Sequence, residues 1–156
     1  MAEPDAIDAT RATADLSATS LPPALIAAYR AAHYAVDAPP AFVLRVGLPS
    51  RELDACQRRH GVHCSAFLTA ANPASRVRAP AANAAGHRAL LERLVAEASV
   101  VLPGRGVDPL AAWPDEASVL ALGLTRTRAV ALAREFGQAA LLVAGEDATP
   151  RLLLLA

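Results

Sequence analysis

The sequence predicts an α+β domain in which a mixed sheet carries helices, built on a ferredoxin-like βαββαβ core with one extra strand at each end. Three observations lead there. Short apolar runs bounded by Gly, Pro and Asn alternate with stretches of helical periodicity. Ser50 and Thr125 each stand where a helix N-cap is needed. A chain of 156 residues suits one hydrophobic core.

Residues 1–20 are mostly Ala, Thr, Ser and Asp without apolar periodicity, which predicts a disordered N-terminal tail ahead of a single domain over residues 21–156. Leu21-Pro22-Pro23 opens a short helix running from Ala24 to His33. Phe42, Leu44 and Val46 alternate with Val43, Arg45 and Gly47, the period of a strand. Ser50 starts a helix that reaches Arg59 and stops at Gly61, and His63 to Ala70 forms the next strand. The strongest helix spans Ala81 to Ala98, with Leu90, Leu91, Leu94, Val95 and Ala98 as its buried stripe. Ser99 to Leu102 reads as a strand, Pro103-Gly104-Arg105-Gly106 as a loop, and Ala117 to Leu122 as a further strand. Thr125 begins a helix ending at Gly137, and a final hairpin joins Ala139–Ala144 to Arg151–Leu155.

Composition removes several function classes. All fifteen basic residues are arginine and fifteen acidic residues cancel them, so there is no basic field for a nucleic-acid backbone. No apolar run approaches the roughly 20 residues that span a bilayer, and the start has no signal-peptide pattern, so no membrane association and a soluble, cytoplasmic protein are expected. Exclusive use of arginine also lowers what any single arginine says about function.

Cys56, His60, His63 and Cys64 are the one Cys/His cluster. A helix and a strand would carry them apart, so no metal is expected. Gly104-Arg105-Gly106 lacks the other positions of a phosphate-binding fingerprint, and there is no Gly-x-Ser-x-Gly, Cys-x-x-Cys or His-Glu-x-x-His. No cofactor is expected.

Polar residues gather instead where the strand ending at Ala70 hands over to the long helix: Thr69, Asn72, Ser75, Asn83, His87 and Arg88. Arg88, three and seven residues before Leu91 and Val95, extends the apolar stripe toward the sheet edge. With the helix start it could hold a carboxylate or phosphate. Glu116 is the candidate acid/base, with Trp113, Ser118 and Gln138 joining the ligand-binding set and Arg45 ranked below them. The competing reading is an internal network, in which Asn72 stabilises its turn, Asn83 helps cap and Arg88 pairs with a carboxylate such as Glu116.

At these residues the chain resembles the bacterial family of unknown function DUF3293. The likeness rests on Ala28-Tyr29 with His33-Tyr34, Leu44-Arg45-Val46-Gly47, Phe67 to Pro73 with Ser75, Asn83 with Arg88, Trp113 with Glu116 and Ser118, Gly123, and Phe136-Gly137-Gln138-Ala139. It departs at Ala71, where the resemblance implies a tryptophan, and at Ala140. It implies no activity. The leading expectation is a site for a small anionic ligand around residues 69–88, in a binding domain or an enzyme. The alternative is an interaction module whose C-terminal hairpin meets a protein partner or a second copy.

Overall fold

The computed structural model describes residues 21–155, and the expected N-terminal tail lies outside them. In chain order the elements are α1 (Pro23–Ala31), β1 (His33–Val36), β2 (Phe42–Leu44), α2 (Arg51–Arg59), β3 (Ser65–Thr69), a 3₁₀ turn (Pro73–Ser75), α3 (Pro80–Glu97), β4 (Val100–Val107), β5 (Glu116–Leu122), α4 (Arg126–Glu135), β6 (Ala140–Ala144) and β7 (Arg151–Leu154). Among the described residues no helix is long and apolar enough to cross a membrane.

The strands form one sheet in the order β2-β1-β4-β5-β3-β6-β7. Every pairing is antiparallel, where the sequence reading led to a mixed sheet. Three hairpins and three helical crossovers, through α2, α3 and α4, return each strand beside a neighbour of opposite direction. The sheet curls. Just past β2 the Gly47 amide donates to the Pro150 carbonyl at 2.8 Å, and the Ser50 amide donates to Ala148 at 3.0 Å. The extension of one outer strand thereby meets the entry to the other.

Both faces of the sheet are covered. On the outer face Leu90 and Leu94 of α3 and Ala129, Leu132 and Ala133 of α4 pack on Ala66, Leu68, Val119, Ala121 and Leu141. Fully burying one such leucine contributes about 1.5–3 kcal/mol. On the inner face Leu53 of α2 packs with Val36, Leu44, Phe67, Leu120 and Leu142. Alternation along β3 divides its side chains between the two, Ala66 and Leu68 outward and Phe67 inward.

Helix starts follow their caps. Ser50 Oγ accepts from the Leu53 amide at 3.1 Å, and Thr125 Oγ1 accepts from the Arg128 amide at 3.3 Å.

Four sequence expectations are corrected. First, α1 ends at Ala31 and a strand, β1, follows at His33, so two strands precede β3 where one was expected. Second, β4 runs through the expected loop at residues 103–106. The Pro103 carbonyl accepts from the Asp37 amide at 2.9 Å, so its nitrogen also faces the β1 side, beyond the last residue of β1, and the missing N–H removes no bond to β5. Gly104 is there for close approach: a Cβ would stand 2.7 Å from the Ala35 carbonyl oxygen and 2.9 Å from the Phe67 ring. Third, β2 stops at Leu44, and Arg45 is exposed. Fourth, the stripe of α3 runs through Leu90 and Leu94, which leaves Val95 80% exposed and puts Arg88 on the exposed side.

Candidate functional site

The link between β3 and α3 is shaped by left-handed backbone. Asn72, Ala74 and Ser75 have φ of 44°, 57° and 59°. Asparagine tolerates this region better than alanine or serine does, so the surroundings must hold the turn. Asn72 is the node that holds it. Its amide donates to Asn83 Oδ1 at 2.9 Å, and its Oδ1 accepts from the Arg78 amide and from Asn83 Nδ2, both at 2.9 Å. Its Nδ2 donates to Glu116 Oε2 at 2.7 Å, which ties the turn to the start of β5.

Two further residues brace the same turn. Arg78 donates from Nε to Asn83 Oδ1 at 3.2 Å and from its guanidinium to the Ala70 carbonyl at 3.1 Å. Gly86 of α3 leaves room for it, since a Cβ there would lie 3.1 Å from that guanidinium. Gln138 Nε2 reaches the Ala71 carbonyl at 3.0 Å, and the Ala74 amide donates to Gly137 at 2.7 Å.

Beside this framework a cleft of about 210 Å³ opens between α1 and the end of the inner sheet face. Of the residues expected from sequence, Thr69, Asn72, Ser75, Trp113, Glu116, Ser118 and Gln138 line it. Several are already engaged. Thr69 Oγ1 donates to the Ala117 carbonyl at 2.7 Å, and Ser118 Oγ donates to the Glu116 carbonyl at 3.0 Å. Asn83 stands one layer back, behind Asn72. Arg88 and the start of α3 lie outside the cleft lining, which corrects the expectation that they hold an anion there. The Glu116 carboxylate meets Asn72 rather than Arg88.

The structure adds residues the sequence reading did not place in the site. Tyr29 from α1 and Tyr34 from β1 both line the cleft, as does Phe67. Tyr29 Oη shares a hydrogen bond with Ser75 Oγ at 2.6 Å, and Tyr34 Oη donates to the Tyr29 carbonyl at 2.5 Å. The Tyr34 and Phe67 rings meet edge to face, with centroids 5.4 Å apart. Both tyrosines were visible in the motifs that carry the family resemblance, and they are the chain's only two.

Burial sets the electrostatics. Desolvation pushes the Glu116 carboxyl above the usual carboxylate range, against the lowering effect of the Asn72 hydrogen bond. Burial, and next to it the Tyr29 phenol, push Tyr34 up, with Glu116 adding to the rise. Tyr29 is raised too, by burial first. Glu116 Oε1 has no hydrogen-bond partner among the described residues. Trp113, 58% exposed, stands at the mouth on the loop before β5. Asp108 pins that loop by accepting from the Leu110 and Ala112 amides at 3.0 and 2.8 Å.

The Cys/His cluster does not join this site. Cys56 and His60 belong to the α2 region, and His63 pairs with Glu146 at 3.2 Å. Among the described residues no three His, Cys, Asp or Glu side chains are grouped to hold a metal ion.

Residues 68–141 match the model of the family described as "Protein of unknown function (DUF3293)". The match runs from β3 to β6 and so takes in Asn72, Asn83, Trp113, Glu116 and Gln138, while Tyr29 and Tyr34 precede it. No curated protein and no solved structure matches the chain.

Proposed function

We propose that this chain is a small-molecule-binding domain whose site is the cleft between α1 and the inner sheet face, with Glu116 as its polar anchor. The observation that carries this is a desolvated carboxyl with one oxygen fixed by Asn72 and the other unpartnered, set in a cleft lined by aromatic and aliphatic side chains and by polar ones already engaged in hydrogen bonds. Few convergent polar groups in an apolar hollow are the usual composition of a ligand site. The volume suits a small metabolite rather than a polymer. A carboxyl held above its ordinary range is also better suited to take or give a proton than a solvated one, so Glu116 is the acid/base residue if the ligand is turned over.

A thermal-shift screen of fragment-sized compounds on the wild type and on Ala28→Leu tests the reading. A ligand at 100 times its Kd stabilises by about 2.7 kcal/mol, a shift of several degrees in a domain this size. Hits are expected on the wild type, and Ala28→Leu, which fills the cleft from α1, is expected to lose them. Equal shifts in both proteins, or no hits at all, reject the cleft as the site.

The C-terminal hairpin as a docking module has less support. Leu152 packs against the inner core and Leu153 and Leu155 against the outer one, each partly buried, so much of its apolar surface is already used within the domain. We also read β3-α3-β4-β5-α4-β6 as a ferredoxin-like core. The element order and the neighbour order β4-β5-β3-β6 support this, with the β1–β2 hairpin and β7 added outside. Cross-strand NOEs linking β3 to both β5 and β6 check it, and their absence removes it.

A further inference from the structure

Resting on the reading of the cleft as a small-molecule site, we infer that its ligand is a small organic cation, an alkylammonium or comparable amine. The lining is unusual for this chain in two independent ways. Tyr29, Tyr34, Phe67 and Trp113 are four of only six aromatic residues in the sequence, and all four border this one hollow. Among the described residues the ionisable acids of the lining are Asp108 and Glu116, and no arginine or histidine borders it.

Two nearby arginines are tied down elsewhere, and Arg76, between the lining residues Ser75 and Val77, is exposed and outside the lining. Arg78 is committed to Ala70 and Asn83 behind the turn. Arg105, next to the cleft-lining Gly106 on β4, is paired with Asp37 at 3.1 Å and Asp115 at 2.8 Å. Neither neutralises Glu116, whose Oε1 is left for a ligand. An anion entering here would meet two carboxyl groups and no basic side chain in the described lining. A cation would meet Glu116, and an ammonium within about 6 Å of a ring face is drawn to the negative face of its π-system. Trp113 borders the cleft with 58% of its surface exposed, so ring surface is available to such a ligand.

Choline, its neutral carbon isostere 3,3-dimethylbutanol, and butyrate separate the alternatives, each titrated into the full chain by calorimetry and by ¹H–¹⁵N chemical-shift mapping. Choline is expected to bind at least tenfold more tightly than the isostere, to move the amides of Tyr29, Tyr34, Gly106 and Glu116, and to outcompete butyrate. Glu116→Gln, which keeps an oxygen to accept from Asn72, is expected to lose at least tenfold for choline while leaving the isostere unchanged. Trp113→Ala, an exposed change that leaves the core intact, is expected to weaken choline alone. Equal binding of the isostere, or tighter binding of butyrate, overturns the cation and leaves the cleft standing as a site. If none of the three moves a cleft amide, the cation falls, and an empty fragment screen then takes the cleft reading with it.

Discussion

The two ends of the inner sheet face differ in how they are covered. Under α2 the face is filled: Leu53 is 1% exposed, Gln57 is 2% exposed, and the Gln57 amide group bonds Gly145 at 3.1 Å while its oxygen accepts from Ser65 at 2.7 Å. Under α1 no residue of the helix is fully buried, and Leu25, Ala28, Tyr29 and Ala32 border open space. Phe67 stands between, packed in the inner core on one side and lining the cleft on the other. The same sheet thus makes a core where a helix buries its leucine, and a cleft where a helix leaves every residue at least partly exposed.

Leu53→Ala should break this contrast most severely, with a loss of about 2–5 kcal/mol in urea denaturation, because the cavity it leaves lies in the filled half. A loss under about 1 kcal/mol would mean that the α2 end is as loosely packed as the α1 end. Asn72→Ala comes next. It strips Glu116, Asn83 and the Arg78 amide of a partner and puts alanine in left-handed backbone, which should cost about 1–3 kcal/mol. Asn72→Gly, which accepts that backbone, should recover part of the loss, and the difference between the two variants separates strain from hydrogen bonding.

Ala28→Leu sharpens the comparison from the open side. Filling the cleft should leave stability within about 1 kcal/mol of wild type while abolishing ligand-induced shifts, whereas an overpacking loss of 2–3 kcal/mol would show that the α1 end is already closed. Glu116→Gln has the smallest expected effect, and its sign depends on pH. The folded protein holds this carboxyl above its unfolded value, so its contribution is fully present below the unfolded pKa and is lost as pH rises through the folded one. The melting temperature of Glu116→Gln relative to wild type should therefore increase from acid toward neutral pH. A difference that stays flat, or shrinks, would remove the desolvation account.

Much of the scaffold was legible because local chemistry agreed with the fold. Ser50 and Thr125 cap the helices they were expected to cap, and Leu90 and Leu94 carry α3 onto the sheet. β1 was missed because it is a four-residue strand separated from α1 by Ala32 alone, too short to show a period of two. The far half of β4 was missed because Pro103 and Gly104 read locally as a turn, although tertiary packing puts both in the ladder. Asn72, Glu116 and Gln138, which border the cleft, were legible because a turn residue and polar residues at the starts of strands leave a local trace. Arg88 was misplaced by assigning the helix stripe through Leu91 and Val95, a rotation of one position from the true one. Tyr29 and Tyr34 come from the start of the chain and reach the cleft only because β1 pairs with β4, which no local pattern reveals.

The seam between Gly47 and Pro150 also bears on how the protein behaves in a crowded solution. The outermost strands are the places where a sheet could recruit a foreign strand and grow into an aggregate. Here one is three residues long, the other four, and the backbone that continues the first is already bonded to the segment that leads into the second. The curl of the sheet therefore ties its two margins to each other, leaving little continuous backbone along which polymerisation could start.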